Sequence, residues 1–149
     1  MLRFMGGRFH MPGASITSPE GFYLNSDPEL VDDFGVYIVP KDRAYSVHLS
    51  FSNDGRTDEV LREILGQYDE YTMIREIAHI ENNGLRGHDA IYTSGGVGYY
   101  EARFQLADQR NLLCLVTTKS AALEGILAGQ DFHMVMAGIR REDDSVYYS

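Results

Sequence analysis

Leu112-Leu113-Cys114-Leu115-Val116 carries no polar side chain on either set of alternate positions. A strand with one wet face alternates apolar and polar residues, whereas a strand apolar throughout belongs where both faces are covered. The run is therefore expected to be a central strand, with helices flanking the sheet on both faces beside it. Just before it, Tyr100, Ala102, Phe104 and Leu106 alternate with Tyr99, Glu101, Arg103 and Gln105, the two-residue period of a half-buried strand. Ser94-Gly95-Gly96-Val97-Gly98 reads as the hairpin turn leading into that strand. Further back, Met73 to Glu81 runs into Asn83-Gly84 and returns as Arg86 to Thr93. Asn-Gly is the strongest short hairpin signal, because both residues tolerate the positive φ of a type I′ turn. Thr72 to Thr118 thus reads as a four-stranded antiparallel meander.

Helical signals lie on either side of the meander. After it, Ser120 can cap a region with Leu123, Ile126 and Leu127 on one face, broken near Gly129-Gln130 and restarted at Asp131 with Phe132, Val135, Met136 and Ile139. Before it, Thr57 can cap a helix whose Val60, Leu61, Ile64, Leu65 and Tyr68 form one apolar stripe. Val36 to Val39 and Tyr45 to Phe51 read as strands about the turn Pro40-Lys41-Asp42-Arg43, and Asp27-Pro28 predicts a short helix carrying Leu30, Val31 and Phe34 and ended by Gly35. Ser15-Ile16-Thr17 and Gly21-Phe22-Tyr23-Leu24, about Ser18-Pro19-Glu20, are a short hairpin or a pair of extended edge segments. The residues before 14 and the tail Ser145 to Ser149 are expected to be loose ends. The chain, 1–149, reads as one domain with an ordered core over 14–142. The fold class is α+β: an antiparallel β-sheet meander flanked by helices on both faces, an α/β/α sandwich.

Composition narrows the function classes. The 149 residues are 44% hydrophobic and carry 13 basic against 22 acidic side chains, a net charge of -9. That length supports a core without disulfides or a structural metal. The single cysteine, Cys114, cannot form an intramolecular bridge, so a reducing compartment, the cytoplasm, is expected. The N-terminus, broken by Gly6, Gly7, Pro12 and Gly13, does not read as a signal peptide, and no apolar run is long enough to span a bilayer. The densest basic pair, Arg140-Arg141, is followed at once by Glu142-Asp143-Asp144. The basic patch that nucleic acid or an anionic membrane requires is therefore missing, and neither is expected as a partner.

A two-residue Asn83-Gly84 turn would set Glu81 opposite Arg86 and His79 opposite His88. Paired imidazoles can hold a proton or contribute to a divalent-metal site, but a third ligand must then come from elsewhere. The plainer alternative is a partly solvated cross-strand pair beside a surface ion pair. Tyr99, Glu101 and Arg103 share one face of the next strand with Tyr92 nearby. That set can line a ligand groove, or simply reflect alternation on a sheet face. The glycine-rich turn is no phosphate loop, since no Lys-Ser/Thr follows it. Cys114 is expected to be buried with its thiol pKa raised, the reverse of a nucleophile's needs. No catalytic residue, metal site or cofactor is assigned. Ten tyrosines and no tryptophan favour a recognition surface.

The segment Asn83-Gly84-Leu85-Arg86-Gly87-His88-Asp89-Ala90-Ile91-Tyr92, followed by Tyr99-Tyr100-Glu101-Ala102-Arg103-Phe104-Gln105-Leu106, resembles the PsbP-like superfamily. That group includes the oxygen-evolving extrinsic subunit of the photosystem, Mog-type Ran-binding proteins and many bacterial domains. The likeness extends over most of residues 15–141 and takes in an opening Ser18-Pro19-Glu20-Gly21-Phe22 strand, a helix before the meander, a Gly-x-x-Ala turn-strand and a terminal helix after an apolar strand. It implies an antiparallel sheet sandwiched by helices, in an adaptor or binding module of bacterial type. Its motifs are fold signatures and carry over no catalytic set.

The expected function is accordingly that of a non-enzymatic cytoplasmic binding or adaptor domain. It would recognise a protein or a small ligand through a tyrosine-rich sheet face bearing His79, His88, Tyr92, Tyr99, Glu101 and Arg103. The alternative is a metal-dependent or small-molecule enzyme built around His79, His88 and Glu101. A homodimer formed through a sheet edge near Ile16 or Val36 is a further possibility.

Overall fold

The computed structural model describes residues 3–26, 35–52, 54–67, 70–106 and 109–148. The chain opens with three short strands, β1 (Arg3–Met5), β2 (Arg8–Met11) and β3 (Ala14–Ile16), which pair antiparallel in that order. Seven strands follow: β4 (Tyr23–Ser26), β5 (Val36–Val39), β6 (Ser46–Ser52), β7 (Thr72–Asn82), β8 (Leu85–Ser94), β9 (Val97–Gln105) and β10 (Asn111–Lys119). They form one antiparallel sheet in the spatial order β4-β5-β6-β10-β9-β8-β7. Helix α1 (Asp58–Gln67) links β6 to β7, and α2 (Leu123–Ala128) and α3 (Gln130–Ala137) follow β10. A two-residue strand, β11 (Arg140–Arg141), then adds to β3 as the fourth strand of the small sheet, and α4 (Asp144–Tyr148) closes the chain.

The apolar run lies where its composition requires. β10 has three strands on either side, and Leu112, Cys114 and Val116 are buried. Around them Val47, Leu49, Ala102 and Phe104 of the sheet pack with Leu123, Phe132 and Val135 of the last helices and with Met11, Ala14 and Ile16 of the small sheet. Asn83 and Gly84, at φ 49° and 86°, make the two-residue turn between β7 and β8, and Gly95 and Gly96, at 56° and 83°, make the one between β8 and β9. Gly87 is required for a different reason: a Cβ there would stand 1.7 Å from the carbonyl oxygen of Arg103 on the neighbouring strand. The terminal helices break at Gly129, whose ψ of 153° is extended, as the sequence predicts.

Several expectations are corrected. The α/β/α sandwich expected beside the central strand is not confirmed: α1 packs over β7 and β8, and Leu113 and Leu115 of β10 are half-buried. Only a four-residue link separates α1 from the edge strand β7, so the helix is held near that edge. The ends read as loose carry β1, β2 and α4: β1 and β2 are strands of only three and four residues, too short to show a period, and α4 packs on β2 from the far end of the chain. Neither Ile16 nor Val36 is at an edge, since β3 lies between β2 and β11, and β5 between β4 and β6. The segments flanking Ser18-Pro19-Glu20 do not form a hairpin but enter different sheets. The helix predicted over Asp27 to Phe34, and Tyr68 of the apolar stripe, lie outside the described residues. Among the described residues no helix is long and apolar enough to cross a membrane.

Candidate functional site

The turns fix which side chains meet. The Asn83-Gly84 turn gives the pairs Asn82 with Leu85, Glu81 with Arg86 and His79 with His88. The Gly95-Gly96 turn gives His88 with Arg103, Ala90 with Glu101 and Tyr92 with Tyr99. Even spacing along each strand then brings His79, His88, Tyr92, Tyr99, Glu101 and Arg103 onto one face of the sheet, the face on which α1 sits.

Their polar groups are largely engaged with one another. Glu101, only 3% exposed, accepts from the Tyr92 hydroxyl at 2.7 Å and from Arg103 Nε at 2.8 Å. Arg103 reaches Asn111 Oδ1 at 3.4 Å, and the Asn111 amide donates to the carbonyls of Asp54 and Arg56, tying the sheet to the loop that enters α1. Burial, reinforced by the Glu101 charge and hydrogen bond, pushes the Tyr92 phenol far above its ordinary range, so it stays a donor. The Thr57 hydroxyl, read from sequence as a helix cap, instead lies 2.8 Å from His88 Nδ1. His79 is exposed, with its ring edge-on to His88.

Tyrosine rings form the other half of the site. Tyr92 stacks on Tyr99 at 5.1 Å between centroids and meets Tyr71 edge-on at 5.0 Å, with Leu61 and Leu65 of α1 packed against the group. The tyrosine face is therefore partly interior. Its outward continuation is on β7, where Met73, paired with Tyr92, is 44% exposed and Ile74 is 60% exposed. The β7–β8 register slips between Met73 and Arg75 and again between Arg75 and Ala78, two bulges that leave Ile74 outside the pairing. On the opposite face Asp89 accepts from Arg75 at 2.6 Å and from the Tyr100 hydroxyl at 2.7 Å.

The structure adds Thr57, Tyr71, Met73, Ile74 and Asn111 to the residues named from sequence. Asn111 opens a run read for its apolar content, and the exposure of Ile74 depends on a bulge that no local period signals. Glu101 is turned toward Tyr92 and Arg103, and among the described residues no three His, Cys, Asp or Glu side chains stand together as a metal would need. Cys114 is buried and its thiol pKa is pushed up to about 12 by that burial. Two open clefts lie elsewhere: one of about 820 Å³ beside Leu85, Arg86, Leu106 and Arg141, the other of about 850 Å³ beside Ser52, Asp54, Arg56 and Gln109. Neither is lined by any of the six candidate residues.

This architecture is a PsbP-like α+β fold. Solved structures similar to the chain include the solution structure of cyanobacterial PsbP (CyanoP) from Synechocystis sp. PCC 6803, with a TM-score of 0.62 at 10% identity over 88% of this chain and 88% of that one. A crystal structure from Bacteroides thetaiotaomicron VPI-5482 is similar with a TM-score of 0.51 at 15% identity, over 95% of this chain and 50% of that one. No protein-family model matches the chain, and no curated protein sequence matches it. At such identities the likeness shows the fold alone.

Proposed function

We propose that the protein is a non-enzymatic cytoplasmic binding or adaptor domain that recognises a protein partner at the outer rim of its tyrosine-rich face. The observation that carries this reading is the pair Met73 and Ile74, exposed on an edge strand beside the Tyr71–Tyr92–Tyr99 cluster. Exposed apolar side chains grouped on a surface mark an interaction site, and tyrosines are enriched at such surfaces. The acid and base groups behind them support binding over catalysis, because Glu101 and Arg103 are engaged with each other and with Tyr92 and Asn111. The PsbP-like fold supports the same choice.

The test is capture from the native cell with immobilised protein, run in parallel with Ile74→Asp and with Glu124→Gln on the distant helix α2. A species retained by the parent and by Glu124→Gln but lost with Ile74→Asp is the expected result. Equal retention by all three, with the variants equally folded, would overturn the reading.

A further inference from the structure

We propose that Asn83 is a self-modification site: its side-chain amide is held from reaction while it caps the C-terminal end of α3, and its conversion to aspartate or isoaspartate sets that end free. Asn83 stands at the tip of the β7–β8 hairpin. Its Nδ2 donates to the carbonyl of Ile139 at 2.9 Å, to that of Ala137 at 3.2 Å and to that of Met136 at 3.5 Å. Beside it, Asn82 Nδ2 donates to the Met136 and Ile139 carbonyls at 3.0 Å each. The last carbonyls of a helix have no partner within it. Here those of Met134 and Val135 accept from the Gly138 amide, and those of Met136 and Ala137 accept from the hairpin tip. The Arg141 amide in turn donates to the Asn83 carbonyl at 3.0 Å, so one residue fastens the hairpin to both α3 and β11.

The same residue carries a reactive sequence. Asn83-Gly84 is the chain's one Asn-Gly pair, and glycine has no Cβ to shield its amide nitrogen. When that nitrogen bonds to Asn83 Cγ, the Cγ–Nδ2 bond breaks, the Gly84 amide proton passes to the departing nitrogen, and ammonia leaves a five-membered imide. Water then adds to one of the two imide carbonyls. Opening at one gives aspartate, and opening at the other gives isoaspartate, with the main chain running through the former side chain. Water is the co-reactant, and it reaches the site because Asn83 is exposed. The departing Nδ2 must first leave the carbonyls of Ala137 and Ile139, so the cap and the reaction compete for one amide.

The product cannot serve as the cap. A carboxylate has no N–H to donate, and it would stand at the negative end of a helix. Met136 and Ile139 are buried, so their carbonyls would lose donors where water replaces them poorly. Arg141 passes beside Gly84, and its charge can meet the new carboxylate but does not restore the lost donor. Isoaspartate also adds a carbon to the main chain inside a two-residue turn whose length sets the β7–β8 register.

The test holds the full chain at neutral pH, folded or unfolded in guanidinium chloride, and follows the Asn83 peptide by mass spectrometry for conversion of amide to acid. Conversion is expected in the folded chain, about tenfold slower than in the unfolded one, the factor that one or two hydrogen bonds supply. Converted chains, separated by ion exchange, should lose amide-exchange protection at Ile139 and Arg141, and Asn83→Asp should show the same losses. No conversion in the folded chain, or conversion as fast as in the unfolded one, would overturn the proposal. So would unchanged protection of Ile139 and Arg141 in the converted chains and in Asn83→Asp.

Discussion

His79 stands edge-on to His88 across the β7–β8 ladder, with ring centroids 5.7 Å apart and planes at 90°. The two rings are not equivalent. His79 is exposed, whereas His88 Nδ1 is held 2.8 Å from the Thr57 hydroxyl, which ties the start of α1 to the sheet. Thr57→Val keeps the side-chain shape and leaves that nitrogen unpaired, so it should cost about 1–2 kcal/mol in urea unfolding. His79→Ala should stay within about 0.5 kcal/mol. Equal losses for the two would show that the histidine pair, and not the hydroxyl, anchors the helix.

Gly87→Ala should be far more damaging than its size suggests. The added methyl would sit 1.7 Å from the Arg103 carbonyl, and backbone on both strands must part to admit it. A loss of about 3 kcal/mol is expected, read as a lower Tm by circular dichroism. An unchanged Tm would mean the two strands are less closely apposed at this point.

The Glu101–Arg103 pair should behave as a buried charge pair. Arg103 is 12% exposed, and Glu101→Gln would leave its guanidinium facing a neutral amide. Removing one partner of such a pair costs about 3–5 kcal/mol. The exposed Arg62–Asp58 pair of α1 supplies the contrast, since Arg62→Ala should cost about 0.5 kcal/mol or less. Comparable losses in chemical denaturation would contradict the burial assigned to Glu101.

Alkaline titration should find three tyrosines held protonated by the fold. Burial, helped by Asp131 and Asp42, pushes Tyr45 up to about 12. Burial with Glu101 raises Tyr92 further, and burial with Asp89 does the same for Tyr100. Each is protonated more firmly in the fold than in the open chain, so its contribution is complete below the ordinary phenol range and declines as pH rises through it. Ultraviolet absorbance should show these three phenols ionising only as the fold gives way. Cys114, pushed up to about 12, should resist a thiol reagent until denaturant is added.

What the sequence disclosed, it disclosed through local rules. Asn83-Gly84 fixed the pairing of His79 with His88 because a two-residue turn allows one register, and the unbroken apolarity of Leu112 to Val116 placed β10 at the centre. The six candidate side chains followed from period-two alternation along strands whose turns were correctly read. The fourth strand of the small sheet was not legible, since Arg140 and Arg141 pair with Ser15 and Ala14 across the length of the chain. The sideways seat of α1 depends on the link to β7, and that link carries no periodic signal. Thr57 showed the limit of a local rule, because a good capping residue was also within reach of a histidine on another strand.

The two inserted residues of β7 also govern what happens when many copies crowd together. Fibrillar growth from a sheet margin needs an unbroken row of evenly spaced amides. The irregularities on either side of Arg75 interrupt that row. Ribbon-like polymers should therefore not start from this margin, while the exposed isoleucine remains available for a single visiting molecule to grip.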